Sequence, residues 1–168
     1  LDVRAGRVIA NLDGFPTVTG VLAVPAEHRV YASATGAHAV VVVDDSLLEI
    51  AARVPGAQFP DGIAYAAGER RVFVSDESGR RELVFDAATN AVVARIELGG
   101  EAGNTQYDPG SHCVIVAVQD ANRLLVIDPA TAAIVRRIDL DEAVQYPHGL
   151  YIDAPHRLAF VAGQASAT

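Results

Sequence analysis

An all-β chain of repeated four-stranded antiparallel sheets is what this sequence predicts, and three observations carry the prediction. The first is a spacing. "RVYASA" from Arg29, "RVFVSD" from Arg71 and "CVIVAV" from Cys113 start 42 residues apart, and "RLAFVA" from Arg157 follows after 44. The second is an independent series with the same spacing: "VVVVDD" ending at Asp45, "ELVFDA" ending at Ala87 and "LLVIDP" ending at Pro129. The third is the writing of each unit, in short runs rich in Val and Ile bounded by Gly, Pro, Asp and Asn, as strands and their turns are written. Four strands in a repeat of ~40–45 residues is the period of a β-propeller blade.

Each unit divides in the same order. A Pro-X-Gly lead-in opens an innermost strand such as "GIAYA" (Gly62 to Ala66), and a polar turn follows: "GER", "GSH" or "APH". Next come a second strand ("VFVSD"), a loop, a third strand ("LVFD"), the turn "AATN" and an outer strand, "VVARIEL". "DSLLEIAARV" (Asp45 to Val54) stands opposite "AATNAVVARIEL" in this register and reads as a turn and a strand rather than a helix. Residues 1–13 match the tail of a unit and read as a terminal outer strand, while "HGLYIDAPHRLAFVAGQASAT" reads as the first two strands of another. The chain is therefore expected to be one partial β-propeller, with units at about 1–18, 19–60, 61–102, 103–147 and 148–168. That is roughly four blades' worth, from a propeller of seven or eight blades or from a four-bladed ring that pairs its own ends. Repetition has a physical cause: a four-stranded sheet cannot bury both faces alone, and stacking covers each against a neighbour.

Bulk properties narrow the partners. A formal charge of −8, with all 13 basic residues Arg, argues against nucleic acid, which requires clustered positive charge. No apolar run of about 18 residues suggests a membrane span, and no secretory leader is visible at the start. Cys113 is alone, so no internal disulfide forms, and its apolar neighbours in "HCVIVAV" read it as a small core residue.

The repeat supplies an internal control on function. The X of each lead-in is Thr19, Asp61, Gly103 and His148, with Asn104 one residue past the third. Four equivalent places hold four residue types. Antiparallel order puts these lead-ins on the same face as the loops between second and third strands. That face is rimmed by His38, Asp76, Glu77, Arg80, Arg81, Gln119, Asp120 and Asn122. His28, Arg70, His112 and His156 fall in first hairpin turns on the opposite face and read as solvated turn residues. "ESGRRE" (Glu77 to Glu82) reads as a solvated loop tip, and Asp139, Asp141 and Glu142 as an exit loop. Thr19, Asp61, Asn104 and His148 are the expected ligand-binding set around the axis. Asp61, Asn104 and His148 among them are able to hold a divalent cation such as Ca, Mn or Zn. No nucleophile elbow, phosphate-binding glycine loop or Cys-x-x-Cys is written anywhere.

The units resemble the YVTN-type β-propeller repeat, whose pattern "LLVIDPATAAIVRRIDL" and "ELVFDAATNAVVARIELGG" carry almost completely. The lead-ins at 59–63 and 146–150 look like those of NHL-type and gluconolactonase-type propellers. This resemblance implies a binding scaffold for a small molecule or protein, working through its loop-rich axial face without covalent chemistry. The alternative it implies is a metal-dependent hydrolase, lactonase or lyase with an axial divalent ion, in which His148 is the candidate general base. Gluconolactonase-type propellers place carboxylate and Asn ligands at such lead-ins. An extracytoplasmic location is implied by resemblance alone.

Overall fold

The computed structural model describes residues 1–142 and 144–165. Three four-stranded antiparallel sheets and one two-stranded sheet follow one another along it. The first holds β1 (Val18–Val24), β2 (Arg29–Ala34), β3 (Ala39–Asp44) and β4 (Glu49–Pro55). The second holds β5 (Pro60–Ala66), β6 (Arg71–Asp76), β7 (Arg81–Asp86) and β8 (Val92–Glu97). The third holds β9 (Ala102–Asp108), β10 (Cys113–Val118), β11 (Arg123–Asp128) and β12 (Ala133–Asp139), and the last β13 (Gln145–Asp153) and β14 (Leu158–Ala165). Within each sheet, strands adjacent in sequence are the ones that pair. The segment 45–54 is a turn followed by β4, as the register required.

Turns repeat with the strands. His28, Arg70 and His112 close the first hairpins with positive φ, His38, Arg80 and Asn122 the second, and Leu48, Asn90 and Ala132 the third. Before the third turn, the carboxylates of Asp44, Asp86 and Asp128 accept backbone N–H groups just ahead of them, at 2.8–3.1 Å. These bonds fix the turn and, at Asp86 after the hydrogen bond from the Thr89 hydroxyl, hold the three carboxyls below their usual range.

Packing is sheet against sheet. One core joins the first sheet (Tyr31, Val40, Val42, Val54) to the second (Ile63, Val72, Leu83, Phe85), with the Tyr31 and Phe85 rings 5.7 Å apart. Another joins the opposite face of the second (Phe73, Val84, Ile96) to the third (Val114, Val116, Leu125). The innermost strands crowd most. A Cβ on Gly20 would stand 2.2 Å from the Asp61 carbonyl oxygen, and one on Gly62 2.8 Å from the Thr105 nitrogen. Successive lead-ins therefore meet backbone to backbone, and only glycine permits the approach.

Three expectations are corrected. Residues 1–13 form no strand: an isolated Asp2–Arg7 bridge closes a turn, and Leu1, Ile9 and Leu12 lie along the apolar face of β1 beside Val18 and Val21. A strand forms only where a partner edge takes its N–H and C=O groups, and no strand pairs with this segment among the described residues. Cys113 is half-buried rather than core, because it opens β10 on the face that also carries the half-buried Ile115, covered only in part. "ESGRRE" is not a solvated tip throughout: Glu82 lies on β7 and is fully buried.

Candidate functional site: the axial lead-ins

In all four sheets the pairing of the innermost strand with the second is broken at the lead-in. The irregularities fall at Thr19, at Asp61–Gly62, at Gly103–Asn104 opposite Ala117, and at His148. A bulge inserts an extra residue and re-aims its side chain. The repeated X position is thus a repeated bulge, held in place from the next loop. The N–H groups of Thr35, Glu77 and Gln119, themselves 42 residues apart, donate to the carbonyls of Thr17, Phe59 and Glu101 at 2.8, 2.9 and 2.8 Å. Buried Asp76 reinforces the second lead-in. Its Oδ1 accepts the N–H groups of Gln58 and Phe59 at 2.8 Å each, and its Oδ2 takes Arg81 Nε at 3.0 Å. Asp120 does the same for the third, accepting Glu101 N–H at 2.9 Å and Arg80 Nη1 at 2.8 Å. Asp76, Arg81, Arg80 and Asp120 are therefore supports of the lead-ins, and His38 is another, its Nδ1 lying 2.5 Å from the Gln58 carbonyl oxygen.

Two of the expected site residues come together. His148 Nε2 lies 3.6 Å from Asp61 Oδ2, although the residues belong to the fourth and second sheets. The third sheet has Gly103 at the same register and sets no side chain there. Glu77 joins them, and one ligand atom from each of Asp61, Glu77 and His148 lies within 4.8 Å of the others. Asp61 is buried and the other two are half-buried. Burial pushes the Glu77 carboxyl up; the Asp61 charge adds to this, and His148 opposes it.

The other two are placed differently. Thr19 donates its hydroxyl to the Pro60 carbonyl at 2.9 Å and shares a 2.9 Å hydrogen bond with Thr35, so it ties the first sheet to the second. Asn104 stands at the register of Gly20, Gly62 and Gly149, with its Oδ1 3.1 Å from where a Cβ on Gly62 would be. Glu77, placed by the sequence on the rim of this face but read there as part of a solvated loop, stood outside the expected ligand set. Its place in the series Thr35, Glu77, Gln119 was the available signal, and Gln164, whose Nε2 lies 3.4 Å from Gln119 Oε1, extends that row into β14.

Donors held about 2.0–2.2 Å from one ion stand about 3–3.5 Å apart. The His148–Asp61 separation of 3.6 Å is close to that spacing, and Glu77 stands within 4.8 Å of both. One imidazole and two carboxylates suit Zn²⁺ or Mn²⁺ better than Ca²⁺, which takes six to eight oxygens.

No protein-family model matches the chain, and no curated protein matches its sequence. Solved structures do. The hydrazine synthase of Kuenenia stuttgartiensis superposes with a TM-score of 0.73 at 18% identity, over 86% of this chain and 41% of that one. Dihydro-heme d1 dehydrogenase NirN, in complex with DHE, superposes with a TM-score of 0.80 at 19% identity, over 98% of this chain and 36% of that one. Both contain β-propellers. The fold is a β-propeller. The sheets described above are its blades, and the chain spans less than half the length of either of these proteins.

A second polar feature lies between blades two and three. Glu82 is fully buried beside buried Thr105; no well-formed hydrogen bond reaches either carboxylate oxygen, although the Thr105 hydroxyl stands close enough to favour the charged form. The equivalent residues are Val40 and Leu124 for Glu82, and Ile63 and Leu150 for Thr105. Burial drives the Glu82 carboxyl well above its ordinary value and favours the neutral acid, with the Thr105 hydroxyl opposing.

Proposed function

We propose that this chain is a binding module whose axial face holds a divalent cation on Asp61, Glu77 and His148 and uses it to capture an anionic or carbonyl-bearing small molecule. The observation that carries the reading is the convergence of these three donors from two blades, separated in sequence by up to 87 residues, within 4.8 Å of one another. Two carboxylates favour a cation, and the half-burial of Glu77 and His148 leaves coordination positions open towards solvent. A hydrolase or lyase on the same ion needs a base in addition to its ligands. His148, once it ligates, is unavailable for that role, which favours binding without covalent chemistry.

The test is calorimetric titration of Mn²⁺, Zn²⁺ and Ca²⁺ into the chain and into Asp61→Asn, Glu77→Gln and His148→Ala. The reading predicts one saturable site for Mn²⁺ or Zn²⁺, weakened at least tenfold by each substitution. Heats indistinguishable from dilution, or affinities indifferent to all three substitutions, would remove it.

A second reading rests on His148 alone. Imidazole is a usual axial ligand of haem iron, and the NirN structure was solved with DHE bound. On this reading a tetrapyrrole lies over the axial face with His148 on its iron. A haem absorbance shift that disappears in His148→Ala but persists in Asp61→Asn favours it over the cation site.

A further inference from the structure

One blade junction is polar where its counterparts are apolar. Between blades one and two, Val40 and Ile63 belong to a single core. At the same registers between blades three and four stand Leu124 and Leu150, both buried. Between blades two and three the pair is Glu82 and Thr105, 0% and 1% exposed. Ser75, also 0% exposed, pairs with Glu82 across β6 and β7, which sets its hydroxyl on the same face. Three polar side chains thus lie together where bulk solvent does not reach, and their own bonds do not saturate them. No well-formed hydrogen bond reaches either Glu82 oxygen or Thr105 Oγ1. A direct contact between the Thr105 hydroxyl and Glu82 engages one carboxyl oxygen and leaves the other without a partner. Ser75 differs from its equivalent in blade one. Ser33 donates across its junction to the Asp61 carbonyl at 2.7 Å. The Ser75 hydroxyl turns back to its own blade, accepting the Gly62 N–H at 2.8 Å, and keeps a free lone pair.

We propose that Glu82, Thr105 and Ser75 bind one internal water molecule between blades two and three. Water fits the count of donors and acceptors. The protonated Glu82 oxygen donates to it, and it donates in turn to Thr105 Oγ1 and Ser75 Oγ. The Thr105 hydroxyl then donates to the second Glu82 oxygen, so every proton has an acceptor. Three hydrogen bonds is the usual number for a buried water. A cation is the poorer occupant. Burial favours the uncharged form of Glu82, and the neighbouring Asp76 already has Arg81 as its counter-ion. The water supplies across this junction the link that Ser33 makes directly across the first. It sits behind the second lead-in, since a Cβ on Gly62 would stand 2.8 Å from the Thr105 nitrogen. It does not depend on a cation at Asp61.

High-resolution diffraction from crystals of the chain, with and without Rb⁺, tests this. One peak of water strength is expected at about 2.7–3.2 Å from a Glu82 carboxyl oxygen, Thr105 Oγ1 and Ser75 Oγ, with no anomalous signal from Rb⁺. Joint Glu82→Leu and Thr105→Ile substitution, giving the residue types of Leu124 and Ile63, is expected to abolish the peak. Thr105→Val, which keeps the side-chain shape, replaces that variant if it fails to fold and is likewise expected to lose the peak. No peak in the wild type, an Rb⁺ signal in its place, or a peak unchanged in the variants overturns the proposal.

Discussion

His148 Nε2 lies 3.6 Å from Asp61 Oδ2 across a blade that contributes Gly103 at their shared register. The missing side chain matters twice. It leaves the space open, and it permits close approach, since a Cβ on Gly103 would stand 3.0 Å from the Pro147 carbonyl oxygen and 3.1 Å from His148 Cα. Gly103→Val therefore pushes directly on the bulge that aims His148. Overpacking of this kind costs about 1–3 kcal/mol. The expected outcome is a folded protein with a lower Tm and Mn²⁺ affinity reduced at least tenfold, read by thermal melts and calorimetry on the same sample.

Glu82 gives a pH prediction. Its carboxyl is raised in the folded state, so the native protein keeps a proton that the unfolded chain has already lost. Stability then falls as pH rises above the ordinary glutamate range, by up to about 1.4 kcal/mol per pH unit until the folded value is reached. Glu82→Leu, the residue blade three uses at Leu124, removes both the dependence and a buried acid. It is expected to raise stability by about 1–3 kcal/mol at neutral pH. Urea melts from pH 5 to 8 check this: the two curves diverge with rising pH, and parallel curves would mean Glu82 carries no proton linkage.

A clip on the opposite face predicts the reverse slope. Glu27 accepts hydrogen bonds from Tyr65 OH at 2.5 Å and from Arg70 Nε and Nη2 at 2.8 and 2.6 Å, joining blades one and two. The Arg70 and Tyr65 bonds lower its carboxyl to about 2. A depressed folded value means the contribution is complete above the ordinary glutamate range and is lost as pH falls towards 2. Glu27→Gln should thus lower Tm at pH 7, with the difference shrinking on acidification.

The same three positions are held one blade on by Glu69, Tyr107 and His112, with His112 in the place of Arg70. Tyr107 OH and His112 Nδ1 are 3.3 Å apart, and Glu69 Oε2 is buried without a partner. His112→Arg restores the cation the first clip uses. A gain of about 1 kcal/mol is expected at pH 7, measured as a rise in urea midpoint. No gain would show that blades two and three meet at a different angle from blades one and two.

Most of the fold was legible because the repeat measured it twice, through two series of the same spacing, and because the turn carboxylates Asp44, Asp86 and Asp128 mark each unit alike. The Asp61–His148 pairing was legible for the same reason: at the lead-in, four equivalent positions held four residue types within a strand pattern that was kept. What escaped reading lay where local composition and packing disagree. Glu77 and Glu82 sit in one charged string, yet one turns to the axis and the other into the core, a distinction only the strand boundary at Arg81 decides. Residues 1–13 carry a strand's pattern without a strand's partner, and pattern alone cannot supply the second edge.

The central claim is that radial stacking of blades makes one cation site from Asp61, Glu77 and His148. Anomalous diffraction from crystals of the chain grown with Mn²⁺ tests it most directly. The account predicts a single strong peak within about 2.0–2.4 Å of Asp61 Oδ2, a Glu77 carboxylate oxygen and His148 Nε2. No peak there at saturating Mn²⁺, or a peak only at other carboxylates, would contradict it.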